Sequence, residues 1–297
     1  MRSLIICSLI CGSCWFGWPQ DQSTVDNKLS AAKIASQQLP LQTAMAPVNE
    51  RREVTALKVV GSEPAEAHDA FSQLVAQLKQ AEQSIQELDC YQGTIEQQVR
   101  IDGDLRPPEV IDFKLRHAPF SVYLKWKCDG QEVLYVEGEN DGKLLARPTR
   151  GLAALRGVWK LKPDSQQAMK CALHPITEMG IQSLCQLSLR FHDARDFSPE
   201  GMTVSAKEVS ANGRPASQYT VVFADRETCP DYARSLLTFD RETGWLVALE
   251  NHEWTEDGRI GGLLEKYVYH NIAPMPQAEP ETFASTNPAY GFREKQN

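Results

Sequence analysis

Few residues in this chain have the type and spacing to do chemistry. Cys171 and His174 lie three apart, just ahead of an expected helix whose N-terminal end would favour an anion. A thiolate paired with an imidazole is therefore the nucleophile on offer, with Glu178 the one acid at hand to orient the ring. Glu137-Gly138-Glu139-Asn140-Asp141-Gly142 copies the first half of a calcium loop, with carboxylates at alternate positions and a glycine for the sharp turn. The bidentate acid of such a loop would fall at Pro148, which has none, so a polar hairpin tip is the reading. His117, His192, His252 and His270 stand singly, without ligand spacing. No nucleophile elbow, H-E-x-x-H pair, phosphate loop or G-x-G-x-x-G run occurs. No catalytic constellation, metal or cofactor is expected.

The start of the chain looks like an address. Arg2 supplies a positive n-region, and residues 4–18 form a nearly uncharged apolar run, shorter than the ~20 residues that cross a bilayer as a helix. Residues 1–18 are expected to be a signal peptide. Cys11-Gly12-Ser13-Cys14 resembles a lipoprotein-processing box with Cys14 as the lipidation acceptor, although Cys11 stands where a branched aliphatic residue is usual. The expected localisation is therefore exported, either periplasmic or held to the membrane as a lipoprotein. No second run is long and apolar enough to span a membrane. Among the five later cysteines, Cys90 and Cys128 belong at opposite ends of a sheet, too far apart for a bridge. Cys171–Cys185 is the pairing the spacing favours, with reduced thiols acting as small hydrophobes the alternative.

Composition sets outer limits. With 297 residues and 42% hydrophobic content, the chain can bury a full core. A formal charge of −8 argues against nucleic acid as a partner.

These residues need a framework, and its centre is the stretch 119–148. Phe120, Val122, Leu124 and Trp126 alternate with Ser121, Tyr123, Lys125 and Lys127, the period of a half-buried strand. Asp129-Gly130 predicts a type I′ hairpin turn, with both residues at positive φ. Residues 131–137 carry apolar side chains on both faces, and Asn140-Asp141-Gly142 turns the chain into a third strand at 143–147. Before this meander, residues 19–61 read as a flexible linker. A helix follows, with Ala67, Phe71, Leu74, Leu78, Ala81, Ile85 and Leu88 on one stripe, Ser62 as its cap and Pro64 in its first turn. Strands are expected at 91–101, 110–116, 155–161, 203–209, 216–224, 233–239, 245–254 and 262–272. A second long helix opens near Thr177 and buries Ile181, Leu184, Cys185, Ser188 and Phe191. The curved-sheet domain runs over 62–273. The tail 274–297 is irregular, with Phe283, Tyr290 and Phe292 able to pin it to the body. The fold class is α+β, a large antiparallel sheet covered by helices.

This order of elements is similar to the periplasmic lipoprotein-carrier fold, an incomplete, strongly curved barrel around an apolar cavity. The phrases PFSVYLKW, GQEVLYVEGENDGKLLA, HPITEMGI, LLTFDRETGWLVALE and TNPAYGF resemble an exported bacterial, planctomycete-type family catalogued as domain-of-unknown-function family 1571. The resemblance spans about residues 71–292 and implies a fold, but no chemistry. The leading functional expectation is an envelope protein that holds an apolar small molecule, acyl chain or lipoprotein. Phe120, Val122, Leu124, Trp126, Val133 and Tyr135 are the candidate cavity residues. The alternative is a structural module that meets other envelope proteins through its sheet edge or aromatic tail. A Cys171/His174 hydrolase stands third.

Overall fold

The computed structural model describes residues 64–193, 201–275 and 279–292. The export segment, Cys14, the linker and Ser62 lie outside the described residues, as do the side chains of Ala67, Phe191 and His192.

Helix α1 (Pro64–Gln86) forms where the four–three apolar spacing predicts it, with Leu74, Leu78, Ala81 and Ile85 fully buried. The chain then enters a sheet of twelve strands: β1 (Cys90–Ile101), β2 (Asp104–Leu105), β3 (Glu109–Arg116), β4 (Ser121–Trp126), β5 (Glu132–Val136), β6 (Leu144–Arg147), β7 (Trp159–Leu161), β8 (Met202–Ala211), β9 (Arg214–Phe223), β10 (Arg234–Asp240), β11 (Leu246–Trp254) and β12 (Ile260–Pro274). Their order across the sheet is β7-β6-β5-β4-β3-β1-β12-β11-β10-β9-β8, with β2 paired to β1 alone. Two antiparallel meanders therefore meet at a seam, where β1 lies between β3 and β12. The β7 and β8 edges do not pair with each other, so the curved sheet is an incomplete barrel. Register shifts in the β1/β12, β10/β11 and β11/β12 pairs add the local bends that such coiling needs.

One face of the sheet carries the main core. Helices α1 and α3 (Ile181–Asp193) pack on each other, α1 against β8 and α3 against β11, and Ile181, Leu184, Cys185 and Leu189 enter that core. The other face bears a smaller cluster over the β3–β6 meander. There Tyr123, Leu134, Val136 and Leu145 meet Phe283, Tyr290 and Phe292 of the C-terminal segment.

Four sequence expectations change. The Asp129-Gly130 turn is not type I′. Only Gly130 has positive φ, 73°, and it closes a four-residue loop in which Trp126 N–H donates to the Gln131 carbonyl at 3.0 Å. The Asp129 carboxylate accepts from Gln131 N–H at 3.0 Å, which satisfies the bend without a second left-handed residue. The expected strand at 155–161 splits into the short helix α2 (Gly151–Leu155) and β7, because Gly157 at φ 73° ends the helix. Thr177 does not cap the second long helix. It lies in a separate 3-10 turn, Ile176–Glu178, and the first helical N–H, that of Ile181, is satisfied by the Tyr91 hydroxyl at 3.1 Å. Finally, Cys171 and Cys185 are not joined by a disulfide, and the reduced-thiol alternative holds for both. Cys185 is fully buried on the inward stripe of α3, where burial pushes its thiol up to about 12.

Candidate functional site

The segment 162–180, between β7 and α3, folds into two 3-10 turns, Met169–Cys171 and Ile176–Glu178. Ser165 anchors its start. Its hydroxyl donates to the Lys162 carbonyl at 2.7 Å, and its own carbonyl accepts from Met169 N–H at 2.9 Å. This lid borders a partly open cavity of about 160 Å³. Strand alternation supplies the walls: Ile95 from β1, Ile111 from β3, Leu124 and Trp126 from β4, Val133 from β5, Leu144 and Ala146 from β6. Tyr267 and Tyr269 come from β12, and Ala168, Met169, Ile176 and Met179 from the lid. A second space of about 330 Å³, bordered by Val99, Pro107, Pro108 and Cys128, shares Gln97, Glu109 and Cys171 with the first.

At that shared border the Glu109 carboxylate accepts from Gln97 at 3.0 Å and from the Trp126 indole N–H at 3.2 Å. The other polar feature lies on β12, where Glu265 pairs with Val99 of β1, two residues on from the Tyr267–Gln97 pair. Glu265 is almost fully buried, and its carboxylate accepts from Asn251 at 2.7 Å, from His174 Nε2 at 3.0 Å and from the Tyr267 hydroxyl at 3.1 Å. Burial alone would push the Glu265 carboxyl up, but the hydrogen bonds and charge of His174, with help from Asn251 and Tyr232, hold it below the ordinary range. His174 is raised in turn, first by its bond to Glu265, against the opposing effect of burial and with help from Glu178. Its Nδ1 lies 3.3 Å from Glu178 Oε2. Both ring nitrogens of His174 are thus directed at carboxylates. The sequence reading set Glu178 beside this ring, and the structure adds Glu265 at its other nitrogen.

Of the candidate cavity residues, Leu124, Trp126 and Val133 border the space. Phe120, Val122 and Tyr135 share their face and pack on the core, but do not border the cavity. The reason is register. Val122 pairs with Tyr135 and Leu124 with Val133, and the cavity begins at the second pair and extends toward Trp126. Phe120 and Tyr135 instead lean on each other, ring centroids 6.2 Å apart. The sequence reading missed Glu265 and Asn251. The available signal was an acid on the face that carries Tyr267 and Tyr269 at alternate positions of β12.

The profile of a family described as "Protein of unknown function (DUF1571)" matches residues 88–292. No curated protein matches the sequence. Among solved structures the chain is similar to the lipoprotein LppX of Mycobacterium tuberculosis, with 11% identity, 70% of this chain and 99% of that one covered, and a TM-score of 0.41. It is similar to LprF from Mycobacterium bovis at 10% identity, with coverage of 70% and 97% and a TM-score of 0.38. A LolA superfamily protein from Nitrosomonas europaea gives 10% identity, coverage of 70% and 96%, and a TM-score of 0.27.

Proposed function

The chain belongs to the DUF1571 family, and we propose that it is a binding protein that holds an apolar ligand beneath the 162–180 lid. The observation that carries this reading is the unfilled space itself. A concave, partly open space of about 160 Å³ bordered mainly by leucine, isoleucine, valine, tyrosine and tryptophan, with a few polar groups among them, is the form that small-ligand sites take. An engineered apolar cavity of ~150 Å³ takes up benzene. By that measure the space receives a ring or a short hydrocarbon segment as it stands. A longer acyl chain would follow the shared Gln97–Glu109–Cys171 border into the neighbouring space, or would lift the lid.

Gln97, Glu109 and His174 border the otherwise mostly apolar space, so the ligand class that fits is an apolar body with a hydrogen-bonding end. With both His174 nitrogens facing carboxylates, binding is a better use of the site than catalysis. In this reading residues 1–18 export the chain, and the protein works in the periplasm or, lipidated at Cys14, on a membrane. Native mass spectrometry of the purified chain, followed by lipid extraction, tests the proposal. A co-purifying apolar species supports it. A ligand-free chain that also fails to bind a fluorescent fatty-acyl probe overturns it.

A further inference from the structure

Between Asp141 and Asp164 the chain has six cations and no acid, although its formal net charge is −8. These are Lys143, Arg147, Arg150, Arg156, Lys160 and Lys162. The run builds one corner of the sheet from β6, α2 and the edge strand β7. Helix α2 is inverted relative to what burial would select. It hides Ala153 completely and turns Leu152 and Leu155 outward, 70% and 82% exposed. A single exposed leucine is ordinary. Here the two lie three apart on one turn, and the other exposed large apolar residues among those described reach only 37–41%.

The orientation is fixed rather than loose. The Trp159 indole N–H donates to the Ala153 carbonyl at 3.2 Å, and the Arg156 guanidinium lies over the Trp159 ring at 5.6 Å. Some of the charge is already matched: Arg147 faces Glu132, Arg150 faces Asp129 and Lys143 faces Asp141. Arg156, Lys160 and Lys162 have no acidic partner among the described residues. Arg147, Arg156 and Lys160 also line a groove of about 1010 Å³ beside the corner.

We propose that this corner docks on a bilayer containing anionic phospholipid. Leu152 and Leu155 enter the boundary between headgroups and acyl chains, and Arg156 and Lys160 meet the phosphates. Projecting leucines ringed by cations are the chemistry of an interfacial membrane element. A protein interface is more often built around a flat, desolvated core with aromatic anchors. A lysine on an edge strand also discourages edge-to-edge pairing, which would account for Lys160 but not for the leucines. The corner is separate from the cavity ligand, and its test is independent of it.

The experiment is flotation of the full chain with vesicles of phosphatidylcholine alone and of phosphatidylcholine mixed with phosphatidylglycerol. Three forms are compared: wild type, Leu152→Ser/Leu155→Ser and Arg156→Gln/Lys160→Gln. All share the same N-terminus, so any anchoring by residues 1–18 is common to them. Wild type is expected to favour the anionic vesicles and to release as salt rises. Each cation lost should lower partitioning about fivefold, and the leucine pair together about a hundredfold. Urea melts check that these exposed substitutions leave the fold intact. Equal flotation of all three forms overturns the proposal. So does a corner that binds polyglutamate but neither vesicle, which would assign it to an acidic protein partner.

Discussion

The β3–β6 meander is covered on both faces, but by different means. On the outer face the C-terminal segment packs tightly. Tyr290 stacks on Tyr123 with centroids 3.9 Å apart, Phe292 meets both rings edge-on, and the buried Glu132 carboxylate accepts from Tyr123 at 3.1 Å and from Gly291 N–H at 2.6 Å. On the inner face the lid spans Leu124, Trp126 and Val133 and leaves about 160 Å³ unfilled. The same strands, with equally apolar residues on alternate positions, thus carry one filled layer and one hollow one. The comparison teaches that the space does not arise from any shortage of apolar side chains. The lid over it is held by polar contacts around His174 together with Ala168, Leu173, Ile176 and Met179, which pack on the core beside the space.

The contrast can be broken from either side. Tyr290→Ala should have the largest effect, because it removes a stacked ring from the filled layer. It also removes a hydroxyl that donates to the Thr282 carbonyl at 2.6 Å. A loss of about 3–5 kcal/mol is expected in urea melts, the range for truncating a packed aromatic. A loss below about 1 kcal/mol, within the ordinary range for a single substitution, would mean the outer layer is not the packed one.

His174→Gln comes next, at about 3 kcal/mol, because it leaves Glu265 buried without its cation. The pH dependence carries a sign. The His174 value is raised above 6.5 in the folded protein, so its stabilisation is fully present below that pH and is lost as pH rises through the folded value. Glu265 is lowered from 4.5, so its contribution is present above that pH and is lost as pH falls through the folded value. Wild-type stability should therefore fall on the alkaline side of 6.5 and the variant should not. Parallel pH profiles for the two proteins would refute the clamp.

Trp126→Ala probes the hollow layer and should cost less than Tyr290→Ala, about 2 kcal/mol. The side chain borders existing space, and the main identifiable loss is its bond to Glu109. It should weaken binding of a fluorescent fatty-acyl probe about tenfold, roughly the loss from removing apolar contact area of this size. Severe destabilisation with unaltered probe binding would place Trp126 in solid core.

Gly130→Val should cost less again, about 1–2 kcal/mol. Its φ of 73° strains a branched residue, while a Cβ there meets nothing within 4 Å. Asp129→Ala serves as the comparison. It keeps an ordinary backbone and loses only the carboxylate's bond to Gln131, so a change near or below 1 kcal/mol is expected. Equal and large losses at both positions would restore the type I′ turn.

Much of this framework was legible in the sequence, because period-two alternation is local. Phe120, Val122, Leu124 and Trp126 could be placed on one face, and Tyr123 on the other, without knowing the neighbours of the strand. Where the cavity starts along that face was not legible, since it depends on which strand pairs the lid crosses. Leu155 and Val158 read as strand because branched and apolar residues surround them, but Gly157 at positive φ separates a helix from β7. The acid of the site was hidden by distance. His174 and Glu265 lie 91 residues apart, and in a strand that reads LLEKYVYHNI a glutamate passes for a solvent-facing residue. Its alternation with Tyr267 and Tyr269 was the clue that it points inward.

The seam between β1 and β12 has a consequence for the order of events. The cavity takes wall residues from β1 and β3–β7, but its last wall, Tyr267 and Tyr269, and the carboxylate that grips the lid arrive with the final strand. Until β12 docks beside β1, the first meander is an open apolar trough and His174 has no Glu265 to hold it. Pairings this distant in sequence are slow to close. The pocket is therefore complete only once β12 has docked, so its last wall and the hold on its lid arrive together.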